Sequence, residues 1–121
     1  MPSAYQRRRG TAIVDTKDGI LVVAQGNIFL LPGGAAYSNE LQIQAAIREL
    51  KEETGIYPIE VKYLFRYLNS KIFFMKTKGI PKPCSEIKKI DYYYPGKKIP
   101  LSFNTKKIID QYYFMKNNIK K

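Results

Sequence analysis

A cluster of three glutamates near one helix end sets this chain apart, because the rest of the sequence is basic. Apolar residues recur with helical spacing at Ile43, Ala46, Ile47, Leu50 and Thr54, so a helix with one buried face is predicted. Glu49, Glu52 and Glu53 share one flank of that helix. Like charges four residues apart repel each other, and acidic side chains are disfavoured near a helix C-terminus. The cluster is therefore expected to need a cation, and carboxylate oxygens suit Mg²⁺ or Mn²⁺.

Turn and cap residues frame the predicted helix. The run Leu31-Pro32-Gly33-Gly34 predicts a rigid turn and then a loop in which the backbone can approach a ligand closely. Ser38 or Asn39 is predicted as the N-cap, and Gly55 as the residue that ends the helix. A solvated acidic helix edge, balanced by neighbouring basic side chains, is the alternative interpretation of the same charges.

Residues 34–56 resemble the Nudix box, the signature of the Nudix hydrolase superfamily. The box is a Gly, five variable residues, a Glu, seven variable residues and then Arg-Glu-aliphatic-variable-Glu-Glu-variable-Gly-aliphatic. Its fixed positions are all filled, by Gly34, Glu40, Arg48, Glu49, Leu50, Glu52, Glu53, Gly55 and Ile56. The strand pattern on both sides extends a looser resemblance over nearly the whole chain.

The resemblance implies an enzyme that cleaves a nucleoside diphosphate linked to another group, by attack of water on a phosphorus. It implies Mg²⁺ or Mn²⁺ as the cofactor, held by Glu49, Glu52 and Glu53. The backbone carbonyl of Gly33 is implied as a further metal ligand. Arg48 is implied to pair with a neighbouring carboxylate and to hold its orientation.

Two further glutamates are candidates for the same site. Glu40 is implied as an outer ligand or as an anchor of the loop. Many family members carry an additional carboxylate after the central strands, acting as base or metal ligand. Glu86 is the best candidate for it, because it follows the 78–85 loop at the start of a predicted strand. A solvent-exposed strand residue is the alternative interpretation of Glu86, and which glutamate is the general base stays open.

Length and composition indicate one small domain. The chain has 121 residues, of which 45% are apolar, and we expect a single Nudix hydrolase domain over 1–121 with a basic arm at 1–9 and a frayed tail at 117–121. No apolar run is long enough to cross a bilayer, and the N-terminus lacks the apolar core of a secretory signal. The single Cys84 excludes an internal disulfide, so a cytoplasmic location is expected. The absence of histidine excludes Ser-His-Asp chemistry.

Hydrophobic patterns predict an α+β fold. A hairpin with an Asp-Gly turn is predicted over 11–25, and a final helix from about 105 to 116 with Asn104 as its cap. Further strands are predicted at 28–31, 59–68, 71–76 and 87–94. The Nudix resemblance implies an α/β/α sandwich in which a mixed sheet lies between helices.

The substrate is less well defined by the sequence. Family markers for ADP-ribose (a Pro) and for dinucleoside polyphosphates (a Tyr) are absent, because Lys71-Ile-Phe-Phe74 fills their window beyond the box. The small domain favours a small nucleotide such as a nucleoside triphosphate, and aromatic side chains could stack on its base. Distal phosphates could bind Lys88, Lys89, Lys97 and Lys98, and no substrate-binding residue is assigned.

The net charge of +11 would attract anions, which includes RNA as well as nucleotides. Two alternatives therefore stay open. One is an RNA 5′-end pyrophosphohydrolase that grips RNA with Arg7–Arg9 and its Lys-rich tail, and the other is a non-catalytic nucleotide- or RNA-binding Nudix domain. The intact box favours an enzyme. The sequence is compatible with a monomer or a homodimer.

Overall fold

The computed structural model describes residues 8–119. The elements in chain order are β1 (Arg9–Ile13), β2 (Asp15–Thr16), β3 (Gly19–Ala24), β4 (Gly33–Ala35), α1 (Gln42–Thr54), β5 (Tyr57–Tyr67), β6 (Ser70–Lys78), β7 (Lys89–Tyr93) and α2 (Phe103–Ile119). The predicted α+β class is confirmed. The predicted arm up to residue 7 and tail residues 120–121 lie outside the described residues. Within 8–119 neither helix has the length and apolar character needed to cross a membrane, and the cytoplasmic location stays a prediction.

Two sheets form the centre of the fold. The first is mixed, with the strand order β4-β1-β6-β5, and it contains the parallel pair β1–β6. The second is antiparallel, with the order β2-β3-β7. The mixed sheet of the Nudix resemblance is thus present, with a separate smaller sheet beside it.

Each helix covers its own side of the strands, because successive side chains of a strand point to opposite faces. In β1 and the residue after it, Ile13 packs into one buried cluster, whereas Ala12 and Val14 pack into the other. The first cluster joins the strands to Ile108, Ile109 and Tyr112 of α2. The second joins them to Ala46 and Leu50 of α1. These two apolar clusters give the α/β/α layering.

The predicted hairpin over 11–25 is wrong in its first strand. β2 and β3 pair across the predicted turn, with Asp15 opposite Ile20. β1 instead joins the mixed sheet between β4 and β6. β1 can take this position because residue 10 is glycine. A Cβ there would overlap the backbone of Gln42 in α1. The predicted strand at 28–31 is reduced to isolated bridges, one of which joins Leu30 to Val23.

The predicted N-caps of both helices are wrong as well. α1 begins after Leu41, whose N–H donates to Gln44 Oε1 at 2.8 Å, while Ser38 and Asn39 lie in a turn closed by the Glu40 N–H on the Tyr37 carbonyl at 3.0 Å.

At α2, the Oγ of Ser102 accepts the Thr105 N–H at 3.1 Å, so Ser102 replaces Asn104 as the cap. Asn104 lies inside the helix, and its Oδ1 accepts a hydrogen bond from Tyr67 Oη at 3.0 Å. α2 continues to Ile119, past its predicted end at 116 and into the predicted frayed tail. Gly55 ends α1 in the left-handed region with φ 76°, as predicted.

Candidate active site

The three clustered glutamates lie in the C-terminal half of α1, beside β4. Gly34 allows this approach, since a Cβ on it would overlap the carboxylate of Glu49. The N–H of Gly33 donates to Glu53 Oε1 at 3.2 Å. The glycine turn predicted from the sequence therefore brings its backbone directly against the glutamates.

Arg48 connects the carboxylates of the cluster. Its Nε donates to Glu40 Oε2 at 2.8 Å and its Nη2 to Glu40 Oε1 at 3.0 Å, which is a two-point pair. Its Nη1 reaches Glu49 Oε2 at 3.3 Å and Glu52 Oε1 at 3.1 Å. Nη2 also donates to the Ala35 carbonyl at 3.0 Å, which ties α1 to β4. The hydrogen bonds to Arg48 lower the pKa of Glu40 and those to Glu40 raise the pKa of Arg48.

Burial separates Glu53 and Glu49 from ordinary surface glutamates. Loss of hydration raises the pKa of Glu53 to about 7, and the charge of Glu49 adds to that effect. Burial also raises the pKa of Glu49, although Arg48 opposes the shift. Two carboxylates that are hard to ionise together form an environment in which a cation is favourable.

A cavity of about 290 Å³ opens in front of these glutamates, and we call it the acidic cavity. Its lining comprises Gln25, Tyr37, Arg48, Glu49, Glu52, Glu53, Ser85, Glu86 and Ile87. Glu86 comes from the loop before β7, and its Oε2 accepts a hydrogen bond from Gln25 Nε2 at 3.2 Å. The structure thus brings every predicted catalytic side chain to one cavity, including Glu86.

The loop that carries Glu86 is attached to the end of α1. The N–H of Cys84 donates to the Glu53 carbonyl at 3.0 Å, and the N–H of Lys82 to the Thr54 carbonyl at 2.9 Å. These donors satisfy carbonyls that a helix C-terminus leaves without intrahelical partners. Ser85 has φ 58°, an uncommon conformation for a residue other than glycine. The loop position is therefore fixed by the same helix that carries the glutamates.

A second cavity, of about 380 Å³, adjoins the first, and we call it the mixed cavity because polar and apolar groups both line it. Gln25, Glu53 and Ile87 line both cavities. Its other lining residues include Arg9, Thr11, Leu30, Gly33, Tyr67, Leu68, Asn69, Ser70, Ser102, Asn104 and Thr105. The sequence did not reveal this cavity, because its walls come from seven separate stretches of chain.

The predicted phosphate-binding lysines lie elsewhere. Neither of these two cavities is lined by Lys88, Lys89, Lys97 or Lys98. Lys97 instead pairs with Asp91 at 2.6 Å, and Lys89 Nζ contacts Asn27 Oδ1 at 3.5 Å. Arg9 is the basic residue that lines the mixed cavity, and Arg48 the one that lines the acidic cavity.

The donor set fits a divalent cation by its chemistry. In residues 8–119, no three acidic or cysteine side chains already close around one point as metal ligands, and Arg48 lies between Glu49 and Glu52. Glu53 is bonded to a backbone N–H, and its buried charge is the one that a cation would stabilise most. Oxygen donors of this kind are those that Mg²⁺ and Mn²⁺ prefer.

The sequence model of the NUDIX domain matches residues 4–108, and the chain therefore belongs to the Nudix family. It is a Nudix hydrolase, in a family that acts on nucleoside diphosphate derivatives and generally uses divalent metals. A comparison with curated proteins gave no match.

Several solved structures resemble the chain. A Nudix hydrolase family member from Chromobacterium violaceum shares 36% identity with a TM-score of 0.88, over 97% of this chain and 82% of that one. A MutT Nudix hydrolase from Burkholderia pseudomallei shares 19% identity with a TM-score of 0.71, over 87% and 96% of the two chains. A bifunctional NMN adenylyltransferase/ADP-ribose pyrophosphatase from Francisella tularensis, complexed with AMP and Mn, shares 21% identity with a TM-score of 0.67, over 92% of this chain and 42% of that one. The last two show the fold alone.

Proposed function

We propose that the protein is a Mg²⁺- or Mn²⁺-dependent pyrophosphohydrolase of a small nucleotide such as a nucleoside triphosphate. One observation carries the proposal: the acidic cavity and the mixed cavity meet at Glu53. A diphosphate group needs cations and a positioned water, whereas a nucleoside needs a cavity with apolar and hydrogen-bonding walls. The two cavities supply these two environments side by side.

Glu49, Glu52 and Glu53 are the carboxylates proposed to hold the metal, with the Gly33 carbonyl as a further ligand. A bound divalent ion would neutralise the diphosphate and lower the pKa of a coordinated water. Arg48 positions the cluster, because it pairs with Glu40 on one side and with Glu49 and Glu52 on the other.

Proton removal from the attacking water is assigned to a carboxylate of the acidic cavity. Glu53 suits this step because a group with a pKa near neutrality can both accept and release a proton at cellular pH. Glu86 is the other candidate, since Gln25 orients its carboxylate toward the same cavity at 3.2 Å. Binding to the metal ion would lower the pKa of Glu53, so its role as a metal ligand competes with its role as the base. Mutagenesis of Glu53 and Glu86 distinguishes the two candidate bases.

The mixed cavity is proposed to hold the nucleoside. Arg9 supplies a positive charge beside Glu53, where a phosphate would leave the acidic cavity. Tyr67 and Asn104 join across the wall at 3.0 Å, and they offer hydroxyl and amide groups to the edge of a base. Leu30 and Leu68 add apolar surface. A nucleotide that spans both cavities would place its diphosphate next to the glutamates.

The experiment is a nucleotide panel with product analysis. It would contain canonical and oxidised nucleoside triphosphates, ADP-ribose, dinucleoside polyphosphates and capped RNA, each with Mg²⁺, Mn²⁺ or EDTA. We expect metal-dependent release of a nucleoside monophosphate or phosphate from a small nucleotide, and its loss in Glu53→Gln. Absence of turnover of every small nucleotide, with metal and folded protein present, would refute the proposal.

An RNA 5′ end is the second candidate substrate. The observation in its favour is a groove of about 370 Å³ on the α1 side of the mixed sheet, lined by Arg8, Lys71 and the exposed ring of Tyr63. Basic and aromatic side chains together bind single-stranded nucleic acid. A steep fall of RNA binding with rising salt would support this reading, as would removal of a 5′ diphosphate from RNA.

Arg7 lies outside the described residues, and the monomer or homodimer state stays a prediction.

A further inference from the structure

The turn between β5 and β6 places a leucine at the lip of the mixed cavity in a backbone conformation that leucine rarely adopts. Tyr67 pairs with Ser70, so Leu68 and Asn69 form a two-residue loop. Leu68 has φ 53°, in the left-handed region where a Cβ is crowded and glycine or asparagine is normally found. Among the described residues, Leu68 and Ser85 are the non-glycine residues with positive φ, and each lines one of the two cavities that meet at Glu53.

Packing within the protein does not explain the choice of leucine. Its side chain is 70% exposed, so it contributes little to the buried core. Neither burial in the core nor backbone preference therefore explains a large apolar side chain at this position. Strained residues of this kind concentrate at ligand sites, where the surrounding structure holds them in place.

The surrounding structure does hold this turn firmly. The carbonyl of Asn69 accepts the Arg9 N–H at 3.0 Å and Gln42 Nε2 at 3.2 Å. The carbonyl of Leu68 accepts Arg66 Nε at 3.1 Å. The hydroxyls of Ser70 and Thr11 are 2.7 Å apart. Because β1, α1 and β5 all donate hydrogen bonds to carbonyls of the turn, the backbone of Leu68 is held at the cavity lip.

We propose that Leu68 is a substrate-binding residue, and that its side chain covers an apolar face of the nucleoside in the mixed cavity. The ligand class is a nucleoside with a flat base, whose face can pack against a branched aliphatic side chain. Leu30, which is 47% exposed, lines the same cavity and extends this apolar surface. This inference rests on the function proposed above.

The test compares Leu68→Asn and Leu68→Gly with the wild-type protein on the best nucleotide of the panel. Asparagine keeps the approximate size and tolerates left-handed backbone, and glycine removes the side chain and the strain. We expect KM to rise about tenfold, as when one apolar contact to a ligand is lost, with kcat within about twofold. The Mg²⁺ concentration for half-maximal activity should not change, and Tm should stay the same or rise.

The matched control is Ile80→Asn, which changes another exposed leucine-sized side chain, 83% exposed and outside both cavities. It should leave KM unchanged. Wild-type turnover with unchanged KM in both Leu68 variants would overturn the role of Leu68 alone. Lower Tm with a parallel loss of kcat would also overturn it, since that pattern indicates a structural role. Failure of the wild-type protein to act on any nucleotide would refute the proposed function and this inference together.

Discussion

Replacing Glu53 with glutamine should stabilise the metal-free protein while abolishing its activity. Burial raises the pKa of Glu53 from its ordinary 4.5 to about 7. An acid with a raised pKa favours folding most when it is protonated. Its contribution is therefore complete below pH 4.5 and is lost as pH rises through 7. Above that pH the ionised carboxylate lowers the free energy of unfolding by about 3–4 kcal/mol at most, at roughly 1.4 kcal/mol per pKa unit.

Glutamine has nearly the same shape and carries no charge, and its Oε1 can still accept the Gly33 N–H. In EDTA at pH 8, Glu53→Gln should be more stable than wild type by about 1–3 kcal/mol, and the difference should nearly vanish at pH 4.5. Urea unfolding at both pH values measures it. Glu60→Gln, an exposed position on β5, is the control and should change stability by less than about 0.5 kcal/mol.

Metal should reverse this order. A cation that binds only the folded protein raises the stability of wild type by an amount that grows with its concentration, whereas the variant has lost a charged ligand. Turnover of Glu53→Gln should fall by orders of magnitude. A variant that is less stable than wild type in EDTA at pH 8, or equally more stable at both pH values, would refute the argument from buried charge. Normal turnover with Mg²⁺ would refute its catalytic role.

Three further substitutions test the parts of the site separately. Glu86→Gln should lower kcat less than Glu53→Gln does. An unchanged kcat would show that Glu86 is an exposed residue with no catalytic role. Arg48→Lys keeps the charge but loses the two-point pair, so steady-state kinetics should show activity reduced by roughly tenfold or more; full activity would show that the pair does not position the cluster. Gly34→Ala should lower kcat/KM by about 100-fold, because its Cβ displaces a carboxylate of the cluster. Gly26→Ala is the control, since a Cβ there meets nothing within 4 Å, and equal activity of the two alanine variants would contradict this account.

The sequence predicted the parts of the site that lie close together along the chain. Helical spacing fixes the common flank of the glutamates, and the glycine turn reaches them within one short loop. The partners of β1 could not be predicted, because Ala12, Ile13 and Val14 are buried on both faces and show no alternation. An apolar run of this kind fits either sheet equally well. Gly10 was the one local signal, since only glycine fits under α1 there.

The mixed cavity contains a second feature that could not be predicted from the sequence. Asn104 follows Ser102 by two residues, and either side chain could cap α2. In the structure Ser102 caps the helix, and Asn104 instead accepts a hydrogen bond from Tyr67, which is 37 residues away. Asn104 thus belongs to a cavity wall, and that role depends on a contact between distant strands and helices. Local capping rules carry no information on such a contact.

Unfavourable features of this protein concentrate in the walls of its two cavities. Glu53 is a buried carboxylate, and Leu68 and Ser85 have left-handed backbone, whereas the apolar clusters under α1 and α2 show no comparable conflict in the described residues. A fold selected for stability alone would remove each of these features by a single substitution. Their common location at the acidic and mixed cavities therefore argues that they serve ligand binding and hydrolysis. Substitutions that stabilise the protein at Glu53 or Leu68 should accordingly impair it as an enzyme, and each should do so in its own way, through kcat at Glu53 and through KM at Leu68.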